Sequence, residues 1–264
     1  MKVRIIVCFI IVLFITSIAL FTDRKIEQGE IRTAVPVIKN KESDKELLEI
    51  EYQRDGIKAR YPNFDEKVVG ANAALWNQII NEDFQSILSI YSFNPFPELT
   101  QTPGTNVPIF LNIVHHIKLN SGKLTSIFYE AAFSSIYSAH PSDLVYTTNI
   151  DKKNNKRLRL SDFIQLDQDF VKDFRTWQIQ GAGDNNPEIN QAIKDYLANI
   201  SDEDLLSGFK AADQISSKNI WDIYSYYTED KLGISIGVPN YAGDHAEFEK
   251  SYNDIEKFIK PEYR

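Results

Sequence analysis

The chain has 264 residues, with 29 Lys and Arg against 37 Asp and Glu, and a formal net charge of −8. Its single cysteine and single methionine lie among the first eight residues, so the rest of the chain excludes disulfides, cysteine-ligated metals and a thiol nucleophile. Residues 26–264 carry 25 basic and 36 acidic side chains, a net −11. This acidic balance argues against a nucleic-acid partner, because phosphate binding needs clustered Lys and Arg.

An uncharged apolar run, Ile5–Phe21, follows Lys2 and Arg4 near the start of the chain. Basic residues before an apolar segment are typical of an export signal. The seventeen residues of the run would rise about 26 Å as a helix, which is close to the minimum for crossing a bilayer. We therefore expect residues 1–25 to be a membrane anchor or a cleaved signal peptide. In either case the rest of the protein is extracytoplasmic, anchored to the cell membrane or secreted.

The first half of the remaining chain favours strands joined by tight turns. Residues 26–46 are charged and poorly periodic, which is typical of a stalk. Apolar residues then recur at helical spacing from Val68 to Tyr91 and predict a long helix. Alternating patterns between turn residues predict strands, and these cover residues 48–52, 56–61, 109–119, 123–133, 144–150 and 156–160.

The pattern becomes helical again from Asp167. Helices are expected from Asp167 to the glycine-containing stretch that begins at Gly181, from Pro187 to Leu197 and after Ser201, whose hydroxyl can cap a helix. The chain then predicts a hairpin of residues 220–227 and 232–238, a loop, a short strand at 248–252 and a final helical turn. Because hairpins join most strands, we predict an α+β fold with an antiparallel β-sheet built from hairpins and helices packed on one face.

We expect the chain to divide near residue 106. Residues 47–106 would form a smaller α+β subdomain, and residues 107–264 would form the main domain.

The histidines are the first candidates for chemistry. His115 and His116 are neighbours in a predicted strand, so their side chains point to opposite faces and are unsuited to chelating one metal. We expect one to be buried and one exposed. His140 lies between two strands, with Asp143 three residues on. A carboxylate that orients a histidine is the minimum for general-base catalysis, but a ligand contact or a structural role explains the pair as well.

The loop after the last hairpin is dense in possible metal ligands, with Asp244, His245 and Glu247 close together. Their spacing matches no recognised metal loop, and a polar loop before an edge strand explains it equally well. We expect no metal and no cofactor.

Three stretches resemble the RsiV-like C-terminal domain family, an extracytoplasmic domain shared by the anti-sigma factor RsiV and the peptidoglycan deacetylase PdaC. They are Tyr137-Ser138-Ala139-His140-Pro141, Leu158-Arg159-Leu160-Ser161-Asp162-Phe163 and the ending that runs from Tyr226 through Val238-Pro239-Asn240-Tyr241-Ala242-Gly243. The resemblance covers about residues 107–260. Tyr137-Ser138 replaces the paired glycines of the family's motif, so a backbone contact that needs glycine there is in doubt.

The resemblance implies a binding module of the bacterial cell envelope, with a basic protein such as lysozyme or cell-wall glycan as partner. We expect an acidic groove between the turn around His140 and the loop of residues 240–247. Its candidate binding residues are Tyr137, His140, Asp143, Tyr241, Asp244 and His245. The alternative is a cell-wall glycan hydrolase that uses paired acids or His140, and it needs two carboxylates about 5 to 9.5 Å apart in a cleft.

Overall fold

The structure is a computed structural model that describes residues 30–36, 45–91, 109–136, 138–180, 186–216, 219 and 221–264. Within these residues the strands form two sheets. The first sheet has seven strands in sequence order: β1 (Glu30–Pro36), β2 (Leu47–Arg54), β3 (Ile57–Phe64), β4 (Ile109–Asn120), β5 (Leu124–Ser135), β6 (Ser142–Asp151) and β7 (Lys156–Arg157). The second sheet has the order β8-β11-β10-β9, from β8 (Gln178–Gln180), β9 (Tyr224–Tyr227), β10 (Lys231–Gly237) and β11 (His245–Ser251).

Seven α-helices lie in the described part of the chain. They are α1 (Glu66–Val69), α2 (Asn72–Tyr91), α3 (Leu160–Phe163), α4 (Gln168–Phe174), α5 (Pro187–Ala198), α6 (Asp202–Ala211) and α7 (Tyr252–Ile255). Single 3-10 turns occur at Asn240–Ala242, Glu256–Phe258 and Pro261–Tyr263. The predicted α+β class, with helices beside an antiparallel-rich sheet, is confirmed.

Hairpins build the first sheet, with one exception. All neighbouring strands pair antiparallel except β3 and β4, which run parallel from Ile57 and Leu111. A parallel pair needs a long crossover, and α2 lies in that connection. The strand β3 continues past Pro62, where we expected it to stop. Beyond Ala59, β3 pairs only with β2, so the missing N–H of the proline breaks no bond to β4.

Helix α2 covers one face of this sheet and forms the first core. Its buried face includes Trp76, Ile80, Phe84, Ile87, Leu88 and Tyr91. The Phe84 ring stacks on Tyr61 of β3 with 4.1 Å between the ring centres. The predicted helix from Val68 is divided at Gly70, whose φ of 81° is a conformation that side chains with a Cβ rarely adopt.

The second sheet and helices α3 to α6 enclose a second core. Its largest buried side chains include Phe170 and Phe174 of α4, Phe209 of α6 and Tyr227 of β9. Ring-to-ring contacts of about 5 Å join these elements, as between Phe174 and Phe209 and between Phe174 and Phe248 of β11. Aromatic pairs at such distances add to the stabilisation from burial.

A buried carboxylate joins the two cores. Asp213, which follows α6, accepts hydrogen bonds from the backbone N–H groups of Leu160 (2.6 Å) and Ser225 (2.5 Å). It also accepts from the Ser225 hydroxyl (2.7 Å) and the Thr147 hydroxyl (3.4 Å). Thr147 lies on β6 of the first sheet, whereas Ser225 lies on β9 of the second. Burial raises the Asp213 pKa to about 6, although all four donors favour the charged form.

The expected stalk and domain boundary are not what the structure contains. Residues 26–46 include β1, which pairs with β2 from Glu30 opposite Gln53. Across the expected division near residue 106, β3 pairs with β4, and the first core holds residues from Leu47 to Tyr226. Strand pairing and a shared core therefore unite what the sequence suggested as two units. Of the described residues, no helix has the length and apolar character to cross a membrane, and the apolar run at residues 5–21 lies outside them.

Gly233 on β10 faces Tyr226, its cross-strand partner on β9, and a Cβ at this position would overlap the Tyr226 ring. We expect Gly233→Ala to destabilise the protein by about 3 kcal/mol, because a well-packed core cannot absorb the added volume. Gly122→Ala is the matched control, since a Cβ there meets nothing within 4 Å, and its expected cost is within about 0.5 kcal/mol. Chemical denaturation measures both, and equal costs would contradict this account.

The Asp213 carboxylate predicts a specific pH dependence. Asp213→Asn places an amide N–H against one of the four donors. We therefore expect the free energy of unfolding to fall by about 2 kcal/mol at pH 7. Because the folded-state pKa of Asp213 is about 6 and its ordinary value is 3.8, the folded state binds the proton more tightly, and the contribution of Asp213 is largest when it is protonated.

The stability difference between wild type and Asp213→Asn should therefore widen as pH falls from about 6 to about 4, by on the order of 3 kcal/mol at most. Urea unfolding of both proteins at several pH values measures this difference. A stability difference that becomes smaller as pH falls would show that the pKa of Asp213 is not raised in the folded protein.

Candidate functional site

The structure brings together two of the segments that the sequence singled out. The turn before β6 carries His140, and Asp143 lies at the start of β6. The loop between β10 and β11 carries Tyr241 and Asp244. The Asp143 backbone N–H donates to the Asp244 carboxylate at 2.9 Å, although the two residues are 101 positions apart. The same carboxylate accepts a hydrogen bond from the Asn240 amide at 3.2 Å. We call the surface formed by Asp143, Asp222, Tyr241 and Asp244 the acidic surface.

The loop that presents Asp244 has a closely defined backbone. Pro239 precedes the 3-10 turn Asn240–Ala242, and the Ala242 N–H donates to the Pro239 carbonyl at 2.7 Å. Gly243 and Asp244 both have positive φ, of 103° and 66°. Glycine and aspartate are among the residues that enter this region most readily. The Asp244 carbonyl then accepts from the Val238 N–H at 2.8 Å, which closes the loop.

No basic side chain neutralises this surface within the described residues. Asp143, Asp222 and Asp244 form no ion pair there. The sequence explains why, since it contains no Lys or Arg between Lys123 and Lys152, nor from 219 to 230, nor from 232 to 249. Partial burial raises the pKa of Asp222 although the residue as a whole is exposed. Asp222 was not among the residues predicted from the sequence. The absence of Lys and Arg on both sides of it in the sequence is the feature that could have identified it.

In the described residues, the space between the two loops is far smaller than the groove that we expected. The space beside Asp222, Asp244 and His245 is a cavity of about 20 Å³, which has room for a water molecule and for no larger ligand. The two loops fill the space by touching through Asp143 and Asp244. No group of three or more metal-ligating side chains occurs in the described part of the chain. The surface is therefore suited to contact with another macromolecule rather than to enclosing a small molecule.

The individual candidates have different surroundings. His140 is exposed, and its Nδ1 lies 3.0 Å from the Pro141 carbonyl rather than beside the Asp143 carboxylate. Tyr241 is 70% exposed, whereas the Nδ1 of His245 is buried with no hydrogen-bond partner in the described residues. Tyr137 lies outside the described residues.

The adjacent histidines on β4 behave as expected. The His115 side chain is 6% exposed and the His116 side chain 48% exposed.

Two glutamates on β11, Glu247 and Glu249, share one hydrogen-bond donor and are the carboxylate pair to compare with the hydrolase alternative. The Tyr226 hydroxyl lies 3.0 Å from a Glu247 oxygen and 3.1 Å from a Glu249 oxygen, so both carboxylates contact the same hydroxyl group. Glu249 is paired with Lys231 at 3.0 Å, and Glu247 lies 3.9 Å from Lys118. Both carboxylates thus face cations of the protein itself. Neither lines the cavity described above or the groove described next.

A much larger concave surface, which no sequence pattern marks, lies at the other end of the sheet. A groove of about 740 Å³ lies between the turn that joins β4 to β5 and the C-terminal segment from Tyr252 to Arg264. We call it the C-terminal groove. Its lining comes from distant stretches of the chain, with Lys123, Asp151, Phe163, Thr228, Tyr252 and Tyr263 among them. The residues share no sequence motif, so only the folded chain reveals that they share a surface.

Comparisons with known proteins give structural similarity alone. No family model and no curated protein matches the sequence. A crystal structure of a DUF3298 family protein from Pseudomonas aeruginosa PAO1 is 13% identical, with 90% of this chain and 97% of that chain covered and a TM-score of 0.46. For a DUF3298 family member from Bacteroides fragilis NCTC 9343 the identity is 13%, the coverage is 88% and 94%, and the TM-score is 0.41. These values do not place the chain in that family.

The contact between Asp143 and Asp244 can be tested directly. We expect Asp244→Ala to remove the acceptor of the Asp143 N–H and to speed hydrogen exchange of that amide by about tenfold, since a hydrogen bond to a charged group contributes about 1.5 kcal/mol or more. Asp244→Asn keeps an acceptor oxygen and tolerates the positive φ, so it should retain most of the protection. Amide exchange by NMR measures both variants. Equal exchange of Asp143 in wild type and Asp244→Ala would show that the loops are not joined by this bond.

Proposed function

We propose that this protein is an extracytoplasmic binding module of the bacterial cell envelope whose acidic surface binds a basic protein. The observation that carries the proposal is the hydrogen bond between Asp143 and Asp244, which makes one continuous surface of two loops that are distant in sequence. That surface holds three carboxylates without ion-pair partners in the described residues. The cavity beside it, of about 20 Å³ in the described residues, has room for one water molecule.

Charge and composition favour a protein partner. Residues 26–264 carry a net −11, and an acidic surface attracts a basic partner and raises the rate of encounter. Tyr241 stands 70% exposed beside the carboxylates. Exposed tyrosine is common in protein interfaces, because its ring supplies apolar contact area and its hydroxyl a hydrogen bond.

Lysozyme is the specific basic partner that the sequence resemblance suggests. The same resemblance suggests cell-wall glycan as a second class of partner. The apolar run at residues 5–21 supports export and either membrane anchoring or secretion, which would place the acidic surface where such partners occur.

Binding to lysozyme should depend on the acidic surface and on salt. With the full chain purified in detergent, we expect Asp143→Asn and Asp222→Asn each to slow association with lysozyme by roughly threefold to tenfold at low salt, because rim charges act mainly on the association rate. Surface plasmon resonance at about 50 and 200 mM salt measures this effect, which should shrink as screening increases.

Glu66→Gln is the matched control. It removes one negative charge from an exposed residue at the start of α1, which follows β3. It should leave the association rate nearly unchanged. If lysozyme fails to bind at either salt concentration, that partner is excluded. If all three variants lower the rate equally, net charge rather than the acidic surface governs binding.

A further inference from the structure

We propose that the C-terminal groove is a second binding site and that its ligand is a short neutral oligosaccharide. Its volume of about 740 Å³ lies in the range of roughly 300–1,000 Å³ that is usual for small-ligand sites. This site shares no residue with the acidic surface, and the proposal does not depend on the function proposed for that surface.

Aromatic rings form one wall of the groove. The Phe163 ring is surrounded by three tyrosines, at ring-centre distances of 4.9 Å to Tyr227, 5.2 Å to Tyr263 and 6.0 Å to Tyr252. Phe163 and Tyr227 are buried, whereas Tyr252 and Tyr263 are partly exposed. These two partly exposed tyrosines line the groove and supply aromatic surface to it. The C–H faces of sugar rings pack on surfaces of this kind, since an aromatic ring combines an apolar body with a polar edge.

The two exposed tyrosines are held in place by their hydroxyl groups. The Tyr252 hydroxyl donates to the Thr228 carbonyl at 3.0 Å, and the Tyr263 hydroxyl donates to Asp151 at 3.0 Å. The Asp151 carboxylate also accepts from the backbone N–H and the side-chain amide of Asn154. Rings that are fixed before the ligand arrives lose little conformational entropy on binding, which favours a preorganised platform.

The rim of the groove carries polar groups of both signs. Lys123, Lys153 and Arg264 supply donors, and Glu256 and Glu262 supply acceptors. A small ion of either charge would meet like charges as well as opposite ones. A neutral ligand rich in hydroxyl groups can instead donate to the carboxylates and accept from the lysines, and hydrogen bonds to charged groups are the stronger ones. A rim with both donors and acceptors therefore suits a neutral sugar better than a small anion or cation.

An extended peptide fits the groove less well. Peptides commonly bind by adding a strand to a free sheet edge. Of the strands that reach the groove, β5 and β6 are paired on both sides. β4 ends there at Asn120, whose side chain is hydrogen-bonded to Glu46 and Lys152. β9 is an edge strand of the second sheet, but the Tyr227 N–H on it already donates to the Ser126 hydroxyl at 3.0 Å. The groove therefore offers side chains to a ligand rather than a backbone ladder.

Isothermal titration of the full chain with chitotriose and with cellotriose tests the site. We expect at least one of them to bind with a sub-millimolar dissociation constant. Tyr252→Ala should weaken that binding at least tenfold, whereas Tyr252→Phe, which keeps the ring, should bind like wild type. Because Tyr252 also packs against Phe163, thermal unfolding must show that Tyr252→Ala remains folded.

Glu256→Ala is an independent variant, because Glu256 is exposed and lies on the rim. We expect it to weaken binding several-fold without lowering stability. Asp143→Asn should leave oligosaccharide binding unchanged, so failure of the acidic-surface proposal and failure of this one are distinguishable. The inference is overturned if neither trisaccharide binds at concentrations up to about 10 mM, or if binding survives both Tyr252→Ala and Glu256→Ala unchanged.

Discussion

The Asp213 carboxylate is the interaction on which the arrangement of the two sheets depends. It accepts hydrogen bonds from β6 of the first sheet and β9 of the second, and from the start of α3 through Leu160. A buried carboxylate is costly unless each of its lone pairs has a donor. Here four donors from three separate parts of the chain converge on it, and hydrogen bonds to a charged group are stronger than those between neutral groups. The geometry of this junction therefore fixes how β9 lies against β6.

That junction also determines where the two candidate sites lie. When β9 is placed against β6, the loops at one end of the sheets meet, and Asp143 donates to Asp244. At the other end, the turn after β4 faces the C-terminal segment and leaves the C-terminal groove open. One end therefore presents carboxylates on a filled surface, and the other presents fixed tyrosines around a concave one. The two ends suit partners of different size and chemistry.

Local patterns predicted most of the elements but not their limits. The helix ending at Tyr91 and the hairpins of β4, β5 and β6 follow from apolar spacing and turn residues, which act over a few positions. Leu160 was assigned to a strand, but it begins α3 because Asp213 accepts its N–H from 53 positions away. β1 was missed because its pairing with β2 compensates for a weak local pattern.

The sequence by itself determined the α+β class, the absence of cysteine chemistry after residue 8 and the acidic character of the chain, because composition and short-range periodicity carry this information. It also singled out the segments around His140 and Asp244 as candidates for a binding site. Only the tertiary structure decided that these segments touch and that Asp222 lies beside Asp244. It alone revealed the C-terminal groove, since residues from 119 to 264 become neighbours there. Contacts between such distant residues depend on how the sheets pack, and no local pattern encodes that packing.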